Sequence, residues 1–198
     1  MVNGAGGFRS FFLPINHEPL TINHSVKEIF CRIERCIGCR ACEIACAVEH
    51  STSKNLAGAV QEDPPPSQRV RVLAVDEKGD KVRLRSVALQ CRQCEDPACA
   101  EACIAGGIVR DETTGVVRFN ADKCVGCWSC TMVCPYGAVV RVSEQGRAVK
   151  CDRCPDRDTP ACVVACPTRA LLFCTPEEFR DFGSEILDVV KEGKNDEG

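Results

Sequence analysis

CVGCWSCTMVCP, residues 124–135, sets four cysteines within eleven residues, closes them with Pro135 and contains Trp128, the only tryptophan of the chain. Its spacing, C-x2-C-x2-C-x3-C, recurs upstream in CIGCRACEIAC, where the cysteines are Cys36, Cys39, Cys42 and Cys46. Two looser copies lie on either side of the opening stretch. CRQCEDPACAEAC carries Cys91, Cys94, Cys99 and Cys103 with four residues in its middle gap, and CDRCPDRDTPACVVAC carries Cys151, Cys154, Cys162 and Cys166 with seven. Every copy keeps two residues inside the first pair and three inside the last. Sixteen of the eighteen cysteines therefore fall into four related quartets, an internal repeat that must govern the architecture.

Three thiolates this close in sequence can hold three corners of an iron-sulfur cube, with the loop amides turned toward the sulfurs. The fourth cannot reach the same cube. In the bacterial run C-x2-C-x2-C-x3-C-P the last cysteine ligates the other cluster of a two-cluster ferredoxin. Quartets then work in pairs, each lending its last thiolate to its partner, and sixteen cysteines supply four [4Fe-4S] clusters. A zinc-bound interaction module is the remote competing reading of four thiolates. Zinc sites usually join two distant C-x2-C knuckles, whereas each quartet here is complete within sixteen residues. Spacing leaves the pairing open: twenty residues separate Cys103 from Cys124 and sixteen separate Cys134 from Cys151, so the third quartet can partner either neighbour.

A formal charge of -3 over 198 residues and the lack of any run of about 18 apolar residues describe a globular chain with no direct membrane span. No nucleic-acid partner is expected. The start, MVNGAGGFRSFFLPIN, shows no charged n-region, long apolar h-region, A-x-A-like site or twin arginine. The expected location is the cytoplasm, where thiols stay reduced and dense cysteines serve metals. Eight Phe, one Tyr and one Trp leave few bulky side chains for a core, a shortage that metal staples offset. With no G-x-G-x-x-G, P-loop or Ser/His/Asp set, no catalytic site is expected.

The segments between quartets read as hairpins. GIVRDETTGVVRFNADKC (107–124) and AVVRVSEQGRAVKC (138–151) each give strand, Gly-containing turn and strand. RVRVLAVDEKGDKVRLRSVALQC (69–91) gives a longer pair turning near Lys78-Gly79-Asp80. AVEHSTSKNLAGAVQEDPPPSQ (47–68), with its three successive prolines, is expected as a loop. TPEEFRDFGSEILDVVKEG (175–193) predicts a helix with Thr175 as N-cap, Pro176 at its first position and Glu178 completing a capping box. Phe179, Phe182, Ile186, Val189 and Val190 form its apolar stripe, expected to pack on the chain itself, while FRSFFLPI (8–15) is expected to dock on a partner.

The order of the quartets, the hairpins and the stretch CVVACPTRAL (162–171) resemble the four-cluster iron-sulfur subunits of the dimethyl sulfoxide reductase and formate dehydrogenase group. CIGCRACEIACAVEHS (36–51) is most similar to the soluble branch of carbon monoxide dehydrogenase electron-transfer proteins and hydrogenase or formate-lyase small subunits. The resemblance covers residues 28–175 and implies an α+β fold of two ferredoxin-like double-cluster modules, nested in sequence, with short hairpins, a loop insertion and a C-terminal helix. It pairs the second quartet with the third and the first with the fourth. Carried onto this chain, one cluster takes Cys36, Cys39, Cys42 and Cys166, and a second takes Cys151, Cys154, Cys162 and Cys46. A third takes Cys91, Cys94, Cys99 and Cys134, and the last takes Cys124, Cys127, Cys130 and Cys103. The implied organisation is an N-terminal extension (1–27), the first motif with its loop insertion (28–68) forming a module with 138–175, an inner module (69–137), and a C-terminal helix and tail (176–198).

The function the resemblance implies is electron transfer. Single electrons pass between a larger catalytic redox subunit and an external donor or acceptor, with room for a further electron-accepting subunit. The catalytic partner would be a molybdenum- or tungsten-pterin oxidoreductase, a carbon monoxide dehydrogenase or a hydrogenase. A freely diffusing polyferredoxin is the alternative. The membrane helix of attached relatives has no counterpart in this sequence, and Ala47 and Ile104 stand where the signature has proline. Some relatives replace the second ligand of the third quartet by Trp; here Cys127 is present and Trp128 follows it, so a complete cube is expected, with Trp128 shielding it or simply packing.

An oxidised cube with four thiolates carries about -2, so four take the chain to about -11. Arg35, Lys123 and Lys150, each directly before a first cysteine, and Arg40, Arg92 and Arg153 inside quartets either offset that charge or are solvated and paired with acids. Cys31 and Cys174, outside every quartet, are expected as small buried hydrophobes, and His17, His24 and His50 as ordinary side chains.

Overall fold

The computed structural model describes residues 26–77 and 83–182, with backbone alone for 75–77, 83 and 84. In chain order the elements are β1 (Glu28–Cys31), α1 (Ala41–Glu49), α2 (Leu56–Ala59), β2 (Val70–Glu77), β3 (Arg83–Gln90) and α3 (Ala98–Glu101). There follow β4 (Ile108–Arg110), β5 (Val117–Phe119), α4 (Ser129–Val133), β6 (Val140–Val142), β7 (Arg147–Val149), α5 (Ala161–Val164) and β8 (Leu171–Cys174). Among the described residues the result is a mixed fold of short helices and four two-stranded sheets.

Three of the sheets are the expected hairpins. Apolar residues at alternate positions put one strand face inward, so β4 and β5 pair antiparallel with Ile108 opposite Phe119, and β6 and β7 with Val140 opposite Val149. The longer β2–β3 pair sets Val70 against Gln90 and Val72 against Ala88; its turn at Lys78-Gly79-Asp80 lies outside the described residues. At the β4–β5 turn Asp111 accepts the amides of Thr113 and Thr114, both at 3.0 Å, which is how an Asx turn satisfies a tight reversal.

The fourth sheet joins distant parts of the chain. β1 pairs antiparallel with β8, Ile29 opposite Phe173 and Cys31 opposite Leu171, and the amide of Arg32 extends the ladder to the Ala170 carbonyl at 2.8 Å. At its ends Cys174 is buried as expected, whereas Cys31 is only half-buried and its sulfur accepts the Ala88 amide at 3.4 Å. The stretch 47–68, read as a loop from its prolines, is in part helical. It contains the last turn of α1 and all of α2, which Asn55 caps by accepting the Gly58 amide at 2.8 Å. Asn55 is a strong N-cap signal that three nearby prolines obscured.

Two apolar cores result. Ile29, Cys42, Cys46, Val70, Ala88, Cys151, Cys162 and Leu171 form one; Ile108, Val117, Cys130, Val139 and Ala148 form the other. Helix α1 packs on α5, and α3 on α4. The helix that begins at 176 opens with the predicted box: the Thr175 amide donates to Glu178 at 2.8 Å and the Glu178 amide to the Thr175 hydroxyl at 3.2 Å. Phe179 stacks on Phe30 with ring centroids 4.5 Å apart, and Arg32 lies over the ring of Phe182. The remainder of that stripe, Ile186, Val189 and Val190, lies outside the described residues, as do the 8–15 stretch, His17 and His24.

Candidate iron-sulfur sites

All four quartets share one local fold. The first two cysteines lie in a loop, and the third sits in a short helix: Cys42 in α1, Cys99 in α3, Cys130 in α4 and Cys162 in α5. The residue before the second cysteine is left-handed every time, with φ of 71° at Gly38, 52° at Gln93, 68° at Gly126 and 64° at Arg153. Glycine adopts this region freely, while Gln and Arg cost about 1–3 kcal/mol there. At Gly126 there is also no room, since an added Cβ would stand 2.5 Å from the Gly146 carbonyl oxygen. Gly126→Ala is expected to lower stability by at least about 1–3 kcal/mol through strain alone, read as a shift of the unfolding midpoint in denaturant; an unchanged midpoint would contradict it.

Three cavities lie behind these loops, and each is ringed by four thiols from two quartets. One is lined by Cys36, Cys39, Cys42 and Cys166, with Ala88 and Leu171 on its apolar side. Another is lined by Cys103, Cys124, Cys127 and Cys130, with Ile108, Phe119 and Trp128. The third has Cys91, Cys94, Cys99 and Cys134, with Val117 and Val139. At the remaining place Cys151, Cys154 and Cys162 gather with Cys46: burial pushes the Cys162 thiol up, and Cys151, Cys46 and Cys154 add to the push. Burial likewise raises Cys151 to about 12 and Cys99 to about 11. Thiols crowded in fours, in apolar surroundings that disfavour the bare thiolate, fit a soft cation centre that neutralises them.

Amide groups aim at the sulfurs. The last cysteine of three quartets accepts the N–H four residues on: Gly107 to Cys103 at 3.2 Å, Ala138 to Cys134 at 3.4 Å and Ala170 to Cys166 at 3.2 Å. The first quartet differs because α1 runs on past Cys46 to Glu49, which Ala47 permits and a proline would not, whereas α3 of the equally proline-free second quartet ends at Glu101. The His50 amide is then used by the Cys46 carbonyl, and the Cys46 sulfur accepts instead from the Arg69 amide at 3.2 Å, with His50 Nδ1 at 3.7 Å. His50 is thus not the ordinary side chain expected. Its Nε2 meets Asp152 at 3.2 Å, and Asp152 also pairs with Arg69. Burial opposes the charged imidazole, but the bonds to Asp152 and Cys46 prevail and raise it to about 9. Sequence held one signal for this, the four-residue step from Cys46 to His50 on a helix.

The six cations divide sharply. Arg35, Arg40, Arg92 and Lys123 are exposed, whereas Lys150 and Arg153 are buried. Arg153 lies 3.9 Å from Glu28. Trp128 caps α4 in a left-handed conformation (φ 65°), lines its cavity and carries Arg141 over its ring at 4.4 Å. Trp128→Ala is expected to retain iron but to speed the bleaching of that cluster in air; an unchanged rate would reduce the ring to packing.

Loops of this shape, each feeding thiols into paired cavities, define the ferredoxin-type class of iron-sulfur proteins. Residues 82–175 match the family described as 4Fe-4S dicluster domain. The electron transport protein HydN of Escherichia coli is 39% identical over 167 residues, covering 76% of this chain and 89% of HydN. YsaA of Escherichia coli is 44% identical over 140 residues, 69% of this chain and 82% of that protein. The formate dehydrogenase-O iron-sulfur subunit of Escherichia coli is 32% identical over 171 residues, 80% of this chain and 56% of the subunit. The chain belongs to this family of 4Fe-4S electron-transfer proteins, in the group that includes HydN and the formate dehydrogenase iron-sulfur subunits. It is an electron-transfer iron-sulfur protein with multiple [4Fe-4S] clusters. Among the described residues no helix is long and apolar enough to cross a membrane.

Proposed function

We propose that the chain is the electron-transfer subunit of a redox complex and holds four [4Fe-4S] clusters in two nested pairs. The ligand sets are Cys36, Cys39, Cys42 with Cys166; Cys151, Cys154, Cys162 with Cys46; Cys91, Cys94, Cys99 with Cys134; and Cys124, Cys127, Cys130 with Cys103. The observation that carries this reading is the rim of each of three cavities, where three cysteines of one quartet meet the last cysteine of another. Packing of α1 on α5 and of α3 on α4 supports the same nesting.

When bound, such clusters supply one-electron acceptance and donation. The chain's own part is to hold and tune them. Its thiolates fix the iron, its amides donate to the sulfurs, and its apolar residues keep water off the cavity walls. The chain itself carries no catalysis, so the chemistry belongs to a larger redox subunit; the formate dehydrogenase subunits among its relatives favour a pterin-dependent oxidoreductase as that partner.

Purification of the untagged protein at native abundance, with iron, sulfide, molybdenum, tungsten and nickel analysis, tests both parts. The expected result is about sixteen iron per chain and a co-purifying large subunit. A monomer with full iron and no partner would favour the freely diffusing polyferredoxin, and an iron content near eight would remove one pair of clusters from the reading.

A further inference from the structure

Lys150, directly before Cys151, is 2% exposed. Its Nζ donates to the Cys151 carbonyl at 3.0 Å, to Gln93 Oε1 at 3.4 Å and to the Val117 carbonyl. Three acceptors use the three N–H bonds of an ammonium, whereas a neutral amine would turn its lone pair on one of them. Among the described residues no carboxylate forms an ion pair with it. A buried ammonium with only neutral partners is unfavourable unless negative charge lies nearby.

The clusters proposed for the second and fourth quartets would supply that charge on either side. Gln93, 5% exposed, occupies the left-handed position of the second quartet between Cys91 and Cys94. Its Nε2 donates to the Cys151 carbonyl at 2.8 Å and its Oε1 accepts the Val117 amide at 2.8 Å. Lys150 and Gln93 therefore clasp the loop of the fourth quartet to the loop of the second and to β5. Val117, whose carbonyl takes the Lys150 ammonium, lines the cavity of Cys91, Cys94, Cys99 and Cys134, while the Cys151 carbonyl that Lys150 also meets belongs to the first cysteine of the fourth quartet. The cation stands where the two quartet pairs meet.

We propose that Lys150 is a tuning residue: a fixed buried cation at the junction of the second and fourth quartets that raises the potentials of the clusters on both sides and eases electron passage between the two pairs. This rests on the ligation of those quartets proposed above. Adding one electron to a cube held by four thiolates takes its formal charge from about -2 to about -3 with no bond made or broken. A buried cation favours the more negative form. Arg153 cannot substitute, since Glu28 offsets it, and Lys123 is exposed to screening solvent.

The test is a redox titration of the iron-loaded protein followed by electron paramagnetic resonance. In Lys150→Met, two clusters should need a solution potential about 59 mV lower or more, a tenfold change in their reduced-to-oxidised ratio at a given potential. Lys150→Arg should keep most of the original value, and Lys123→Gln should move its cluster far less than Lys150→Met moves the junction pair. Gln93→Glu, which leaves the lysine in place and sets a carboxylate against it, should lower the same two potentials. Unchanged potentials in Lys150→Met with full iron, or equal shifts in the Met and Arg variants, would overturn the proposal. Loss of iron from Lys150→Met, with no lowering in Gln93→Glu, would make the pair a structural clasp and overturn it as well. Failure of the underlying ligation is seen separately, as an iron deficit in the unaltered protein.

Discussion

Cys166→Ala is expected to lose the cluster of the first quartet and to keep that of its own. Cys166 shares a cavity with Cys36, Cys39 and Cys42, while Cys151, Cys154 and Cys162 gather around Cys46. Iron should fall by about a quarter of its full value, the share of one cube in four. Pairs of substitutions make the assignment unambiguous, because two residues acting on one unit are not additive and two acting on separate units are. Cys166→Ala with Cys39→Ala should lose no more iron than either alone. Cys166→Ala with Cys154→Ala should lose about half, the sum of two cubes. If the second combination lost only a quarter, the nested ligation would be wrong and each quartet would keep its own last cysteine.

Iron removal is expected to abolish the fold of the described residues. In the first core Cys42, Cys46, Cys151 and Cys162 are four of the eight buried members, and the second depends on Cys130 with Cys99, Cys103 and Cys134 packed against it. Among the described residues the aliphatic members of the two cores are Ile29, Val70, Leu171, Ile108, Val117 and Val139 with Ala88 and Ala148, and no aromatic side chain is buried among them. Strands of three and four residues add little by themselves. Metal binding in such a case is the folding free energy. Chelation under reducing conditions should remove the cooperative thermal transition and most amide protection in β4 and β5. An iron-free chain that still melted cooperatively, with β4–β5 protected, would show that the cores hold without their metal.

Most of the local architecture was legible in the sequence. Alternating apolar residues gave the three hairpins, and Thr175, Pro176 and Glu178 gave the start of the last described helix, because each signal is complete within a few residues. The β1–β8 sheet was not. Two strands of four residues, far apart along the chain, carry no turn between them and no length to betray them. Charge was legible in part: six cations near cysteines were visible, but their separation into four exposed and two buried depends on packing. His50 was missed because all sixteen quartet thiols already accounted for the metal, and its contact with Cys46 arises only where α1 continues past that cysteine.

The β1–β8 sheet also sets a timetable. Residues 28–31 leave the ribosome long before residues 171–174 exist, and at ordinary elongation rates the gap lasts on the order of 10 s. In the ligation proposed above, the second and third quartets have every cysteine they need once Cys134 is made, while the first still waits for the thiol of Cys166. With that ligation, a nascent protein arrested between residues 134 and 166 would hold an inner pair of complete thiol sets beside a first quartet still one cysteine short, and maturation would run from the centre of the chain outward.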